Sequence, residues 1–305
     1  MRLRQELLPN PFLLITVASW GFNFVAVKEA YRQIDAPAVT LLRFLVMWGS
    51  LALLCLWRKE SLRYPREDAL KLIYLGFVSL GIYIFLFMEG MRGSGSTEGA
   101  ILLQMSPVFT AFLAAAFGLE RFSWGALGGA FVAFCGTGLV LYGPAGDHEN
   151  KLLSNVIVMF AALMWAYSVT LMRPLLLKYS PLRVLTLSMP GALPVMLAYG
   201  LFPALRQDWR SVHLYGWAMF FHIAIISGVV AFLCFYQGVR QVGATGATLY
   251  QFLVPIAAMG FSLLVQHTHL TLHQLAGFLI VLAGVGYALR ARSMATTAVP
   301  VNSSA

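Results

Sequence analysis

The segment from Phe87 to Leu141 returns without a gap 148 positions later. Gly90, Arg92, Gly95, Thr97, Pro107, Gly129, Gly136 and Gly138 fall on Gly238, Arg240, Gly243, Thr245, Pro255, Gly277, Gly284 and Gly286. Apolar chains match by chance, but these matches fall mostly on Gly and Pro, which fix backbone shape. Upstream, Asn10, Trp20 and Lys28 fall on Asn155, Trp165 and Arg173 at an offset of 145, and Pro37 meets Pro181 after a one-residue slip. The chain therefore reads as two copies of one unit, and every further expectation has to respect that duplication.

The unit belongs in a bilayer. Hydrophobic residues make up 59% and charged residues 11% of the chain, and the mean hydropathy is +0.76, whereas soluble domains carry about 25% charged residues. Apolar runs long enough to cross about 30 Å of hydrocarbon fall near residues 11–30, 37–57, 69–89, 97–118, 123–142, 152–177, 182–203, 213–236, 244–266 and 271–290. The expected fold is an all-α membrane protein of ten transmembrane helices. Five per copy is odd, so the second copy enters from the opposite side, giving two inverted five-helix repeats around a central cavity. The first repeat spans 1–147, the second 148–290, and the Ser-, Thr- and Ala-rich residues 291–305 read as a disordered cytoplasmic tail.

The net charge of +9 does not mark a nucleic-acid surface, because the basic residues stand at span ends rather than in one water-facing cluster. Of the 21 Lys and Arg, fourteen lie on the N-terminal side of the membrane, six on the other, and Arg43 within a span. This asymmetry places both termini in the cytoplasm. Cys55, Cys135 and Cys234 lie within spans without paired spacing and read as small hydrophobes. The opening residues lack a small-x-small cleavage site and lead into the first retained helix.

Several span residues invite both a packing and a functional reading. Pro107 and Pro255 stand near the middle of the fourth and ninth spans, so a kink is expected at each; they either bend packing helices or act as matched gating pivots. Gly125, Gly129 and Gly136 form a stripe of small residues, repeated in part by Gly277 and Gly284, and read as an intramolecular helix contact. Trp57, Trp124, Trp209 and Trp217 fit the interfacial belt, while Trp20 and Trp165 lie mid-span at matched positions near Asn23 and Ser168. Tyr83, Phe87 and Gly90 share one face of the third span, matched by Ala231, Phe235 and Gly238 in the eighth. Gln104, His222, Tyr236, Gln237, Tyr250 and Gln251 add polar groups that are costly facing lipid.

Arg43 must snorkel, pair or line water. Glu89, Glu98 and Glu120 stand at span edges where ordinary solvation accounts for them, with Glu89 or Glu98 as a proton carrier if transport is coupled. Enzyme signatures are weak. His267, His269 and His273 lie close together without a carboxylate or thiolate, and no H-E-x-x-H, G-x-S-x-G or P-loop string occurs. The chain is read as a non-enzyme without metal or cofactor.

The string Trp20-Gly21-Phe22-Asn23-Phe24 with Lys28, the Arg43-Phe44 pair, Pro107 leading to Gly118-Leu119-Glu120, and the Gly129 and Gly136 pattern resemble the EamA branch of the drug/metabolite transporter superfamily. The resemblance implies ten helices in two inverted repeats, a cavity lined by the first, third, fourth, sixth, eighth and ninth helices, and export of small metabolites, amino acids commonly among them. The second half departs from the pattern: Thr268 stands where an acidic residue is expected, and Leu187-Ser188 replaces the second Arg-Phe pair.

The resulting expectation is an inner-membrane secondary transporter that exports or exchanges a small organic metabolite, an amino acid or related amphipathic solute, by alternating access. Its cavity would be lined by Trp20, Asn23, Tyr83, Phe87, Gln104, Trp165, Ser168, Tyr236, Tyr250 and Gln251. Its partners are the small-molecule substrate and membrane lipid; the protein is taken as a monomer, with a homodimer as the alternative. A passive facilitator or channel of the same fold, or a membrane-embedded enzyme built on the histidine cluster, are the competing readings.

Overall fold

The computed structural model describes residues 9–93, 102–140, 151–266 and 272–297. Helices make up nearly all of it, and no strand occurs among the described residues. They are α1 (Pro11–Ala30), α2 (Ala36–Trp57), α3 (Arg66–Gly76), α4 (Tyr83–Gly93), α5 (Ser106–Ala116), α6 (Trp124–Val140), α7 (Lys151–Lys178), α8 (Pro181–Arg206), α9 (Leu214–Phe221), α10 (Ala231–Leu249), α11 (Val254–Gln266) and α12 (Leu272–Thr297). π-helical segments join α3 to α4 (Phe77–Ile82) and α9 to α10 (His222–Val230), and a 3₁₀ turn (Tyr250–Leu253) leads into α11.

The boundaries repeat the sequence period. Arg66, Tyr83, Ser106 and Trp124 open their helices, and Leu214, Ala231, Val254 and Leu272, each 148 positions later, open theirs. The two π segments end at Ile82 and Val230, again 148 apart.

Six helical stretches among the described residues are long and apolar enough to cross a membrane, one of them Leu214–Phe261 at 48 residues. As a single rod it would run about 72 Å, more than twice the hydrocarbon thickness of about 30 Å. Gly243 divides it, with φ 79° and ψ 171°, a conformation essentially confined to glycine. Shorter apolar helices cover Pro11–Val27, Ser106–Ala116 and Trp124–Leu139. Large apolar side chains such as Trp57, Trp124, Leu214 and Leu272 stay exposed, which suits a lipid-facing perimeter on this multi-pass membrane protein.

Helix starts follow from local chemistry. Asn10 caps α1, its Oδ1 accepting from the amides of Phe12 at 3.1 Å and Leu13 at 3.3 Å, with Pro11 in the first turn. Ser180 caps α8 by accepting from the Arg183 amide at 3.3 Å, ahead of Pro181. Gly118, at φ 65°, ends α5 in the left-handed conformation that commonly follows a helix C-terminus.

α6 and α12 approach backbone to backbone. A Cβ on Gly129 would lie 2.6 Å from the Ala288 nitrogen, one on Gly136 2.7 Å from that of Val281, and one on Gly284 2.5 Å from that of Ala133. The small-residue stripe thus seats an intramolecular partner, as its spacing leads one to expect.

Two expectations shift. Pro107 and Pro255 do not bend the middle of continuous helices: each is the second residue of its helix, α5 or α11, following a turn at Gln104–Met105 or the 3₁₀ turn. A proline ring clashes with the carbonyl four residues back, so the helix breaks one turn earlier and restarts around the proline. The last helix continues beyond residue 290 to Thr297, so the first part of the expected tail is helical. Gly95, Thr97, Glu98, His267, Thr268 and His269 lie outside the described residues, as do residues 298–305.

Candidate functional site

The two indoles that the repeat aligns meet at the centre of the bundle. Trp20 of α1 and Trp165 of α7 pack edge to face with ring centroids 6.1 Å apart. Phe232 and Phe235 of α10 close around them, at 5.3 and 5.2 Å from Trp20 and 6.1 and 5.6 Å from Trp165. Tyr83 lies 5.2 Å from Trp165 and stacks on Phe87 at 6.1 Å. Elements from both halves therefore build one aromatic cluster.

Each indole N–H is satisfied differently. Trp20 Nε1 donates to the carbonyl of Ser227, in the second π segment, at 3.3 Å. Trp165 Nε1 donates to Gln251 Oε1 at 3.3 Å, and Ser106 Oγ donates to that same oxygen at 3.1 Å. The break ahead of each proline makes this arrangement reachable, because Ser106 opens α5 and Gln251 sits in the 3₁₀ turn before α11. Asn23 aims a buried Oδ1 that accepts no hydrogen bond.

The other expected lining residues differ in placement. Gln104 is buried in the turn before α5. Ser168 is buried and donates back to the carbonyl of Trp165 at 2.8 Å, within its own helix. Tyr236 is buried one turn along α10 against Phe232. Tyr250 is buried in the same core as Trp165 and Phe235, and its hydroxyl accepts from the Asn10 amide at 3.0 Å. His222 packs on Phe22 with centroids 4.7 Å apart and contacts the carbonyl of Ser19 at 3.2 Å.

Arg43 of α2 stands within electrostatic reach of the phenols of Tyr83 and Tyr31. It is partly exposed, and no carboxylate among the described residues pairs with it.

Glu120 was read from sequence as a solvated edge residue; the structure overturns this. The Gly118 turn carries its carboxylate beneath the bundle, where the side chain is 7% exposed. Oε1 lies 3.1 Å from Arg173 Nη1 and accepts from the Ala244 amide at 2.7 Å. Oε2 lies 3.1 Å from Arg292 Nη2, and Arg173 also donates to the Leu119 carbonyl at 2.8 Å. Gly243 breaks the chain here, leaving an unpaired amide at a new helix start, and the carboxylate caps it from outside the helix. One carboxylate thus joins the α5–α6 connection to the ends of α7 and α12 and the start of the helix after Gly243. A lone glutamate after an apolar run carries no sequence signal for this; only its cationic partners, 53 and 172 residues downstream (173 − 120 and 292 − 120), reveal it.

The same end is tied twice more. Asn10 Nδ2 donates to Gln241 Oε1 at 2.7 Å. Asp68 accepts from Tyr179 at 2.7 Å and pairs with Lys178 at 3.4 Å, while Arg183 lies 4.7 Å over the Tyr64 ring.

The sequence profile of the EamA-like transporter family matches residues 8–142 and again 152–290. The chain belongs to the EamA-like transporter family. The EamA-like protein is 26% identical over 285 residues to an "Uncharacterized transporter" of Archaeoglobus fulgidus, covering 92% of this chain and 98% of that one. It is 25% identical over 248 residues to a "Probable terminal-alkyne amino-acid exporter" of Streptantibioticus cattleyicolor, covering 81% of this chain and 82% of the other. A crystal structure with 16% identity superposes with a TM-score of 0.76 over 93% of this chain and 98% of that one, a likeness of fold alone. The relatives are named transporters, which points to transport rather than enzymatic chemistry. Among the described residues no group of three His, Cys, Asp or Glu is placed to hold a metal, and of the histidine cluster only His273 is described.

Proposed function

We propose that this EamA-like protein is an inner-membrane secondary transporter that exports or exchanges a small organic metabolite, an amino acid or related amphipathic solute, by alternating access. The observation that carries the reading is the meeting of repeat-matched Trp20 and Trp165 between the halves, beside Tyr83 and the hydrogen-bonded Gln251. Aromatic faces with a few fixed polar groups are the composition of a site for a small amphipathic solute. The relative named as an amino-acid exporter supports the substrate class.

In this reading ten helices form two inverted five-helix repeats, residues 1–147 and 148–290, with both termini cytoplasmic. The twofold family match and the recurrence of helix starts at 148 positions support it. The Glu120 junction then closes the cytoplasmic end, and Pro107 and Pro255, at matched helix restarts, serve as pivots. A passive facilitator would use the same helices without alternating gates.

Counterflow in proteoliposomes tests the proposal: an exchanger accelerates uptake when the trans side is loaded, and a facilitator does not. Tyr83→Ala and Trp165→Ala should lower flux while the protein still inserts. Unchanged flux in both variants would place the solute elsewhere.

A further inference from the structure

We propose that Arg43 anchors the carboxylate of the transported solute, so that the site selects organic acids with an apolar body and does not require an amine. The inference rests on reading the aromatic cluster as the solute site. Arg43 stands seven residues into α2, about 10 Å along the helix from Ala36. There the residue is partly exposed rather than buried.

A guanidinium in a membrane span is costly and normally pairs with an acid or reaches the interface. Among the described residues none of the acids pairs with Arg43, and the titratable groups acting on it are the phenols of Tyr31 and Tyr83. Glu120 and Asp68 are committed to cations at the far end of the bundle, and Glu29 to Arg32 at 2.9 Å. A planar fork of donors with no internal acceptor is complementary to a bidentate carboxylate.

Tyr83 connects this charge to the aromatic cluster. Its hydroxyl stands within electrostatic reach of Arg43, and its ring lies 5.2 Å from Trp165. An acid held at Arg43 therefore extends its apolar body along Tyr83 toward Trp20 and Trp165. Among the described residues of the cluster there is no carboxylate to hold an ammonium, which is left with ring faces. The acid end supplies recognition, and the amine is optional.

The test uses full-length protein in detergent with three congeners of one ring: 3-phenylpropanoate, L-phenylalanine and phenethylamine. Both acids should raise the melting temperature and phenethylamine should not. Arg43→Gln should weaken binding of both acids by about tenfold or more, since bonds to a charged group are worth about 1.5–3 kcal/mol, and Arg43→Lys should retain part of it. Without ligand, Arg43→Gln should melt no lower than the parent protein, because a structural ion pair is not being removed. Stabilisation by phenethylamine equal to that by the acids, by chloride alone, or by none of the congeners would overturn the proposal, as would unaltered acid binding in Arg43→Gln. Counterflow of the same compounds separates the two claims: acid binding without counterflow removes the transporter reading and leaves the anion site. Counterflow that ignores both the acid group and Arg43 removes the anion site alone.

Discussion

The Glu120 carboxylate accepts the Ala244 amide at 2.7 Å, a bond between residues 124 positions apart that caps one helix from the turn after another. Two guanidiniums share that carboxylate, Arg173 and Arg292. Glu120→Gln keeps the shape and removes the charge, leaving two partly covered arginines without their acid. Because Arg173 and Arg292 remain 25% and 18% exposed, the expected loss is about 1–3 kcal/mol, read as a lower melting temperature. If the junction also closes one end, a cysteine placed at Thr245 should become more reactive in the Gln variant. An unchanged melt with unchanged reactivity would show that the junction holds nothing shut.

Gly243 and Gly118 both have positive φ, but their surroundings differ. At Gly243 a Cβ would run into the Glu120 carboxylate and Arg292, in a conformation essentially confined to glycine; at Gly118 nothing lies within 4 Å. Gly243→Ala should therefore cost about 3 kcal/mol or more, and Gly118→Ala about 1 kcal/mol. Thermal melting of the two variants checks the order, and the reverse order would contradict the placement of Gly243.

The α6–α12 contact yields a similar contrast. A Cβ on Gly129 meets the Ala288 backbone at 2.6 Å, whereas one on Gly128, the preceding residue, meets nothing within 4 Å. Gly129→Ala should separate the two helices and destabilise the protein by about 1–3 kcal/mol. Gly128→Ala should be neutral or slightly stabilising. Equal melting temperatures would mean that the helices do not interlock here.

Trp165→Phe removes the donor to Gln251 but leaves the ring against Phe235. Gln251 keeps its bond from Ser106, so the stability cost should stay near about 1 kcal/mol while flux falls. Adding Trp165→Phe to Gln251→Leu should cost little beyond Gln251→Leu alone, because that substitution already removes the bond from Trp165 along with the one from Ser106. Fully additive losses would show that the two side chains act separately.

The outline of the fold was legible in the sequence because it rests on long-range periodicity: apolar runs of span length, and glycines and prolines recurring at 148. The helix starts at Arg66 and Leu214, Ser106 and Val254 obey that same period. Trp20 and Trp165 stood out because a mid-span indole needs a partner, although the partners themselves, a π-segment carbonyl and a side-chain amide, depend on tertiary geometry. Pro107 and Pro255 were visible as disruptions, but their position in the first turn of a restarted helix was not, since pattern alone does not say on which side of a proline a helix resumes. Glu120 was misread because its environment is assembled from residues far along the chain. The bond of the Tyr250 hydroxyl to the Asn10 amide, 240 positions away in sequence, was likewise invisible to pattern.

The two central indoles are moored to different kinds of anchor. Trp20 is fastened to the main chain at Ser227, so it must travel whenever that neighbouring helix travels. Trp165 is fastened to the side-chain amide of Gln251, which Ser106 also holds, so it is tied to the restarts of both proline-led helices. Matched in sequence, the pair is unequal in attachment: one indole answers to a single backbone carbonyl, the other to two helix starts joined through one amide.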